Sequence, residues 1–192
     1  MICRKCDEES VNIAADFLKR GKIVVLPTDT VYGFSGIVDG RHYSYHTDRK
    51  IREIKGRGDE KPFIQLISSP ADLKKYTRDL VPDGILAKWP GALTVIVHTF
   101  VKGGITTTAF RCPGDEWLRA VIATCGAPIY STSVNRSGAP VLDNVQDIKR
   151  EFGNAVDVIV DDGSKRGNMP STIVAVEADG AVRVVRQGAV TL

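Results

Sequence analysis

The sequence predicts an α/β fold: one twisted sheet of mixed parallel and antiparallel strands, flanked by helices. Three observations carry that expectation. Short apolar runs alternate with stretches of helical spacing from end to end, the pattern of strands interleaved with helices. The last β-rich runs follow one another with no helix between them, which requires part of the sheet to be antiparallel. The chain has 192 residues, 43% of them hydrophobic and 26% charged, the balance of an ordinary globular protein. A chain of that length buries roughly 70% of its unfolded surface and needs no disulfide or metal to fold.

Taken in order, Val11, Ile13, Ala14, Phe17 and Leu18 mark an amphipathic helix that stops at Gly21. Residues 23–26 are continuously apolar and end at Pro27, as expected of a strand covered on both faces. Thr47 is expected to cap a charged helix running to Lys55, with Ile51 and Ile54 turned inward. Residues 63–67 read as a strand, after which Ser69-Pro70 opens a helix with proline at its first position. Then come a strand at 93–97, a helix at 117–124, a strand at 128–131 and a helix at 145–152. Three β-rich runs, 156–160, 172–176 and 182–185, complete the sheet. No repeat, linker or low-complexity stretch marks a boundary, so residues 1–192 read as a single domain.

Composition excludes several classes. No apolar run approaches the roughly 18–20 residues that span a bilayer, and MICRKCDEES lacks the apolar core of a signal peptide, so the expected setting is the cytoplasm, with no membrane partner. The net charge of +3 suits a small anionic ligand better than a nucleic-acid coat. The four cysteines are expected as free thiols. Cys3 and Cys6 with His42 and His46 imitate a zinc finger, but about 35 residues separate the halves where a finger allows about 12–15, so no metal ligands are assigned.

The sequence lacks a G-x-x-x-x-G-K-[ST] loop, a G-x-G-x-x-G turn, a G-x-S-x-G elbow and an H-E-x-x-H pair. What remains are polar segments placed just after apolar strands, where open α/β sheets bind ligands. Thr28, Asp29, Thr30 and Tyr32 crowd the turn after the first strand. Lys55, Arg57 and Lys61 put three cations on a loop loosened by Gly56 and Gly58, an arrangement that can converge on a polyphosphate or remain a solvated charge run. Ser131, Thr132, Ser133, Asn135 and Ser137 gather hydroxyls and an amide at another strand end; they can hold ligand oxygens or simply build a turn. Arg111, at the end of an apparent strand, is either a carboxylate clamp or a surface residue, and Pro113, by restraining Cys112, would hold its geometry.

In this order the segments resemble the YrdC/Sua5 family of threonylcarbamoyl-AMP synthases. The matching pieces are PTDTVYG at 27–33, KGR and KP within 55–62, WPGALT at 89–94 and RCP at 111–113. STSVNRSG at 131–138, STI at 171–173 and VRQG at 185–188 continue the match over nearly the whole chain. The resemblance implies a sheet curled around a basic cavity, in the family's short single-domain form. It also implies the reaction of L-threonine, bicarbonate and ATP to threonylcarbamoyl-AMP and pyrophosphate, normally with Mg²⁺. The product serves N6-threonylcarbamoylation of adenosine 37 in tRNA, through a downstream transferase complex. By position, Lys55, Arg57, Lys61, Thr107, Ser133, Asn135 and Arg186 match nucleotide-binding residues, and Thr30, Arg111, Ser131 and Ser171 match residues that hold threonine. No catalytic side chain is identified. Leu66, where longer relatives carry a histidine, and Gly58, in place of a common proline, depart from the pattern, and residues 40–47 match nothing in it. Two other readings compete: a related module that binds RNA and acts in ribosome maturation, and a metal-dependent sugar-phosphate lyase, for which Asp29 lacks an acidic partner.

Overall fold

Among the described residues of the computed structural model (1–40, 42–58, 62–101, 103–177 and 179–192), ten strands join one mixed sheet. In chain order these are β1 (Ile2–Arg4), β2 (Val24–Leu26), β3 (Gly33–Ile37), β4 (Ile64–Leu66), β5 (Leu93–Val101), β6 (Gly104–Arg111), β7 (Ile129–Ser133), β8 (Val158–Asp161), β9 (Thr172–Val176) and β10 (Val182–Arg186). The helices are α1 (Ser10–Lys19), α2 (Thr47–Lys55), α3 (Asp83–Leu86), α4 (Glu116–Cys125) and α5 (Val145–Phe152), with a 3-10 turn at Pro70–Lys75. The strand order is β1-β8-β2-β3-β7-β4-β6-β5-β9-β10.

Side-chain alternation assigns the two faces of the central strands. Val24 and Leu26 of β2, with Val158 and Val160 of β8, meet Ala14, Ala15 and Leu18 of α1 and Leu118, Val121 and Ile122 of α4. Val25 and Ile159 point the opposite way, to Ile51 of α2 and to Ile148 and Phe152 of α5. A third cluster joins Leu93, Val95 and Val97 of β5 to Phe110 of β6 and Val174 of β9, closed by Trp89 and Leu73. Each such fully buried aliphatic or aromatic side chain contributes roughly 1.5–3 kcal/mol relative to exposure.

The structure differs from the sequence expectation at several elements. β3 is a buried strand that the sequence reading passed over, because its two glycines and a serine carry little strand propensity. Thr47 is the first residue of α2 rather than its cap: its hydroxyl donates to the Ile37 carbonyl at 2.6 Å, and His46, at φ 50°, occupies the cap position. The helix expected after Ser69 is the 3-10 turn, closed by a capping box between Ser69 and Asp72. Part of the sheet is antiparallel, as expected from the closing runs. β9 and β10 pair that way, whereas β8 runs parallel to β1 and β2 at the other side of the sheet.

The topology brings distant chain segments together. β2 and β3 form an antiparallel pair with Leu26 opposite Gly33, and β3 continues onto β7 with Gly33 opposite Ser133. β10 stands six strand positions from β3, so a flat sheet would hold them roughly 29 Å apart at about 4.8 Å per step. Residues from both regions nevertheless line one cavity, so the sheet must curl strongly between them.

Candidate active site

The cavity encloses about 350 Å³, within the usual range for small-ligand sites. One wall is the turn between β2 and β3. There the Thr28 hydroxyl accepts from the backbone N–H of Thr30 at 3.0 Å and of Val31 at 3.1 Å, folding the chain into a tight turn. Tyr32 anchors its far end: the phenol donates to Gly163 O at 2.7 Å and accepts from Asp162 N at 2.9 Å. Burial pushes this phenol's pKa up to about 12, which keeps it protonated as that donor.

Arg111, at the end of β6, is only 5% exposed. Its Nη2 donates to Asp29 Oδ1 at 2.6 Å, Nη1 to Thr30 Oγ1 at 2.9 Å and Nε to Gly91 O at 3.0 Å. Three of its five N–H groups are thereby committed, and each terminal nitrogen keeps one. Burial lowers its pKa and Asp29 opposes that shift, so the group remains a cation. Asp29 uses its other oxygen to accept from Gly114 N at 2.9 Å, locking the segment after β6 onto the β2–β3 turn.

Arg57 faces the cavity from the loop after α2. Nη1 donates to Thr132 Oγ1 at 3.2 Å and Nη2 to Pro62 O at 3.1 Å, and the guanidinium lies 4.9 Å from the centre of the Phe63 ring. Its Nε is buried without a partner among the described residues, a donor still to be satisfied. Burial, and then the nearby charge of Arg52, lower the Arg57 pKa. Arg186, on β10, donates to Ser171 O at 2.7 Å; burial and the charge of Arg111 lower its pKa. Three guanidiniums thus line the cavity, and among the described residues no carboxylate does.

The remaining walls are hydroxyls on strand ends. Ser131 and Ser133 come from β7, and Ser171, just before β9, shares a 2.9 Å hydrogen bond with Thr94. Two glycines make these placements possible. A Cβ at Gly33 would sit 2.8 Å from Ser131 Oγ. One at Gly188 would sit 2.3 Å from Pro170 O and 2.5 Å from Ser171 C, so the chain after β10 can lie against Ser171 only without a side chain there.

Of the residues singled out from sequence, Thr30, Arg57, Arg111, Ser131, Ser133, Ser171 and Arg186 converge on this cavity. Lys55 and Asn135 stand behind its wall. The Lys55 ammonium spends its three protons on Ser133 O, Asn135 O and Asn135 Oδ1 at 2.5–2.9 Å. Thr107 is exposed on β6 in a neighbouring recess that shares Pro62 and Phe63 with the cavity. Lys61 lies outside the described residues. The sequence reading missed Asp29 as the group that holds Arg111, and Thr132 as the partner of Arg57; both lay in quoted motifs, but pairings 82 and 75 residues apart leave no local signal. Asn168 and Pro170, also on the wall, sit in no motif that marked them.

Among the described residues, no three His, Cys, Asp or Glu side chains gather to hold a metal ion. Asp29, between the cavity residues Thr28 and Thr30, has both oxygens engaged. Asp29 could take a metal ion only by giving up one of these bonds. No described helix is long and apolar enough to cross a membrane.

Comparison with known proteins places this chain in a wider group. The Sua5/YciO/YrdC family model, described as "Telomere recombination", matches residues 16–188. A threonylcarbamoyl-AMP synthase from Pyrococcus abyssi is 31% identical over 88% of this chain and 52% of its own length. A Bacillus subtilis protein of the same name is 31% identical over 93% of this chain and 53% of its own, so the chain spans about half the length of these relatives. A protein from Methanocaldococcus jannaschii named as a possible threonylcarbamoyl-AMP synthase is 30% identical over 97% of this chain and 91% of its own. A P. abyssi Sua5 structure with L-threonine superposes with a TM-score of 0.83 at 28% identity, covering 98% of this chain and 57% of that one. Escherichia coli YciO, 22% identical, shares the fold with a TM-score of 0.80 over 98% of this chain and 93% of its own. With a family-model match across residues 16–188 and a matching fold, the chain belongs to the Sua5/YciO/YrdC family.

Proposed function

We propose that this chain is a nucleotidyltransferase that makes threonylcarbamoyl-AMP and pyrophosphate from L-threonine, bicarbonate and ATP, with ATP entering as its magnesium complex. The observation that carries the reading is the cavity itself: three guanidiniums and a ring of neutral hydroxyls, with no carboxylate among the described lining residues. The names of the relatives, and the threonine-bound P. abyssi structure, support the same reading.

In this reading Arg111 holds the threonine carboxylate with the N–H left on each terminal nitrogen, and Asp29, Thr30 and Gly91 keep it from rotating away. Ser131 and Ser171 supply neutral contacts beside it. The neutral amine condenses with bicarbonate to a carbamate with loss of water, a carbamate oxygen attacks the α-phosphorus, and the α–β phosphoanhydride bond breaks as pyrophosphate leaves. Arg57 and Arg186 neutralise the phosphates. Catalysis then rests on bringing anions together in a cavity that already holds the compensating charge. The product would pass, in the cytosol, to the enzymes that modify adenosine 37 of tRNA.

The test is pyrophosphate release measured with each substrate omitted in turn. Release is expected only with threonine, bicarbonate and ATP together, and Arg111→Ala should lose threonine affinity about tenfold or more while ATP still binds. Release that ignores threonine would overturn the reading.

A further inference from the structure

The hydrogen bonds behind the cavity wall determine which way one hydroxyl proton points. The Asn135 amide orientation is set from two sides: Nδ2 donates to Ala139 O at 2.7 Å, and Oδ1 accepts from the Lys55 ammonium at 2.9 Å. Flipping the amide would place its NH₂ against that ammonium and its oxygen against a carbonyl. Oδ1 is therefore an acceptor, and the Ser133 hydroxyl, 2.7 Å away, donates to it. A serine hydroxyl has one proton, so toward the cavity Ser133 offers lone pairs only.

Three kinds of ligand group could meet that oxygen. A phosphate or carboxylate oxygen has no proton to give, and it would face lone pair against lone pair. A cation is disfavoured by its neighbours: Lys55 sits on Ser133's own carbonyl, and Arg57 sits on the adjoining Thr132. Neutral donors are left, and of these a hydroxyl is the one that ATP and threonine both carry.

We propose that Ser133 is a specificity residue that accepts a hydrogen bond from a ligand hydroxyl and does not bind phosphate. The inference rests on the synthase reading, in which two substrates carry such a group: the ribose of ATP and the side chain of threonine. Lys55 and Asn135 are its positioning residues, since they hold the proton inward.

The experiment is calorimetric titration of wild type, Ser133→Ala and Ser133→Thr with ATP, 2′-deoxy-ATP, 3′-deoxy-ATP, pyrophosphate, L-threonine and L-2-aminobutyrate, which is threonine without its hydroxyl. Wild type should prefer one hydroxyl-bearing ligand over its deoxy counterpart by about five- to tenfold, the worth of one neutral hydrogen bond. Ser133→Ala should abolish that preference alone, leaving pyrophosphate affinity unchanged, and Ser133→Thr should keep it. The ligand whose preference vanishes identifies the hydroxyl. Equal weakening of ATP, both deoxy analogues and pyrophosphate in Ser133→Ala would show a phosphate contact and overturn the inference, as would no change for any ligand. Wild type that binds neither ATP nor threonine would overturn the synthase reading, and this inference with it.

Discussion

Lys55 shows how a residue chosen for one role can serve another. As a member of a cationic loop it reads as a phosphate ligand, yet it is buried and its charge is spent inside the protein. Burial, and then the nearby charge of Arg57, depress its pKa from 10.5 to about 8. Losing a proton removes one of its three donors, so one acceptor on Ser133 or Asn135 goes unfilled and the wall behind the nucleotide loosens. ATP affinity is therefore expected to fall as pH rises through about 8, with threonine affinity following less closely. The effect on stability has the opposite sign. Between about 8 and 10.5 the folded protein has released a proton that the unfolded chain still holds, so this group's contribution to stability rises with pH. The check is the pH profile of ATP KM: Lys55→Met should bind ATP weakly already at neutral pH and lack the alkaline limb. A limb that persists in Lys55→Met would assign it to another group. Residue types and order were legible here from the sequence; the partners were not, because the hydrogen bonds join positions 78 and 80 residues apart.

Among the elements, those with strong local patterning were read correctly. α5 has an Asn144 cap and an apolar stripe of Val145, Ile148 and Phe152, and its predicted limits match the structure. α4 begins one residue earlier than expected, behind an Asp115 cap. β3 failed because burial on both faces overrode its poor propensity, and Thr47 failed as a cap because its hydroxyl found a buried carbonyl on that same strand. The segment after β10 is held by Thr172, whose hydroxyl donates to Val190 O at 2.6 Å and accepts from Gly188 N at 3.0 Å. Gly188→Ala must push backbone against backbone, and overpacking of this kind costs about 1–3 kcal/mol. At roughly 2–4 °C per kcal/mol for a chain of this size, Tm should drop by several degrees, and the displaced Ser171 should weaken threonine binding. Thermal unfolding with a threonine titration of the variant measures both; an unchanged Tm would mean that the contact relaxes freely.

At the scale of the whole molecule, the cavity exists because the sheet curls until the β2–β3 turn meets β9 and β10. A ligand that bridges these regions ties together segments that have no covalent link nearby. Saturating ATP at about 100 times its Kd should add about 2.7 kcal/mol, roughly 5–10 °C in Tm, and threonine should do likewise. In Arg111→Ala the threonine shift should vanish and the ATP shift persist, which thermal shift assays read directly. A full threonine shift in that variant would move the carboxylate contact elsewhere. The sequence by itself determined the α/β class, most of the strongly patterned helices and strands, and seven of the residues that meet at the cavity, because local periodicity and motif order are written in neighbouring positions. Only the tertiary structure decided that Asp29 holds Arg111, that Lys55 and Asn135 act from behind the wall, and that Thr107 faces a separate recess. Those outcomes depend on which side chains a curled sheet brings within hydrogen-bonding distance and which of their protons remain unspent, and no local pattern in the chain encodes either.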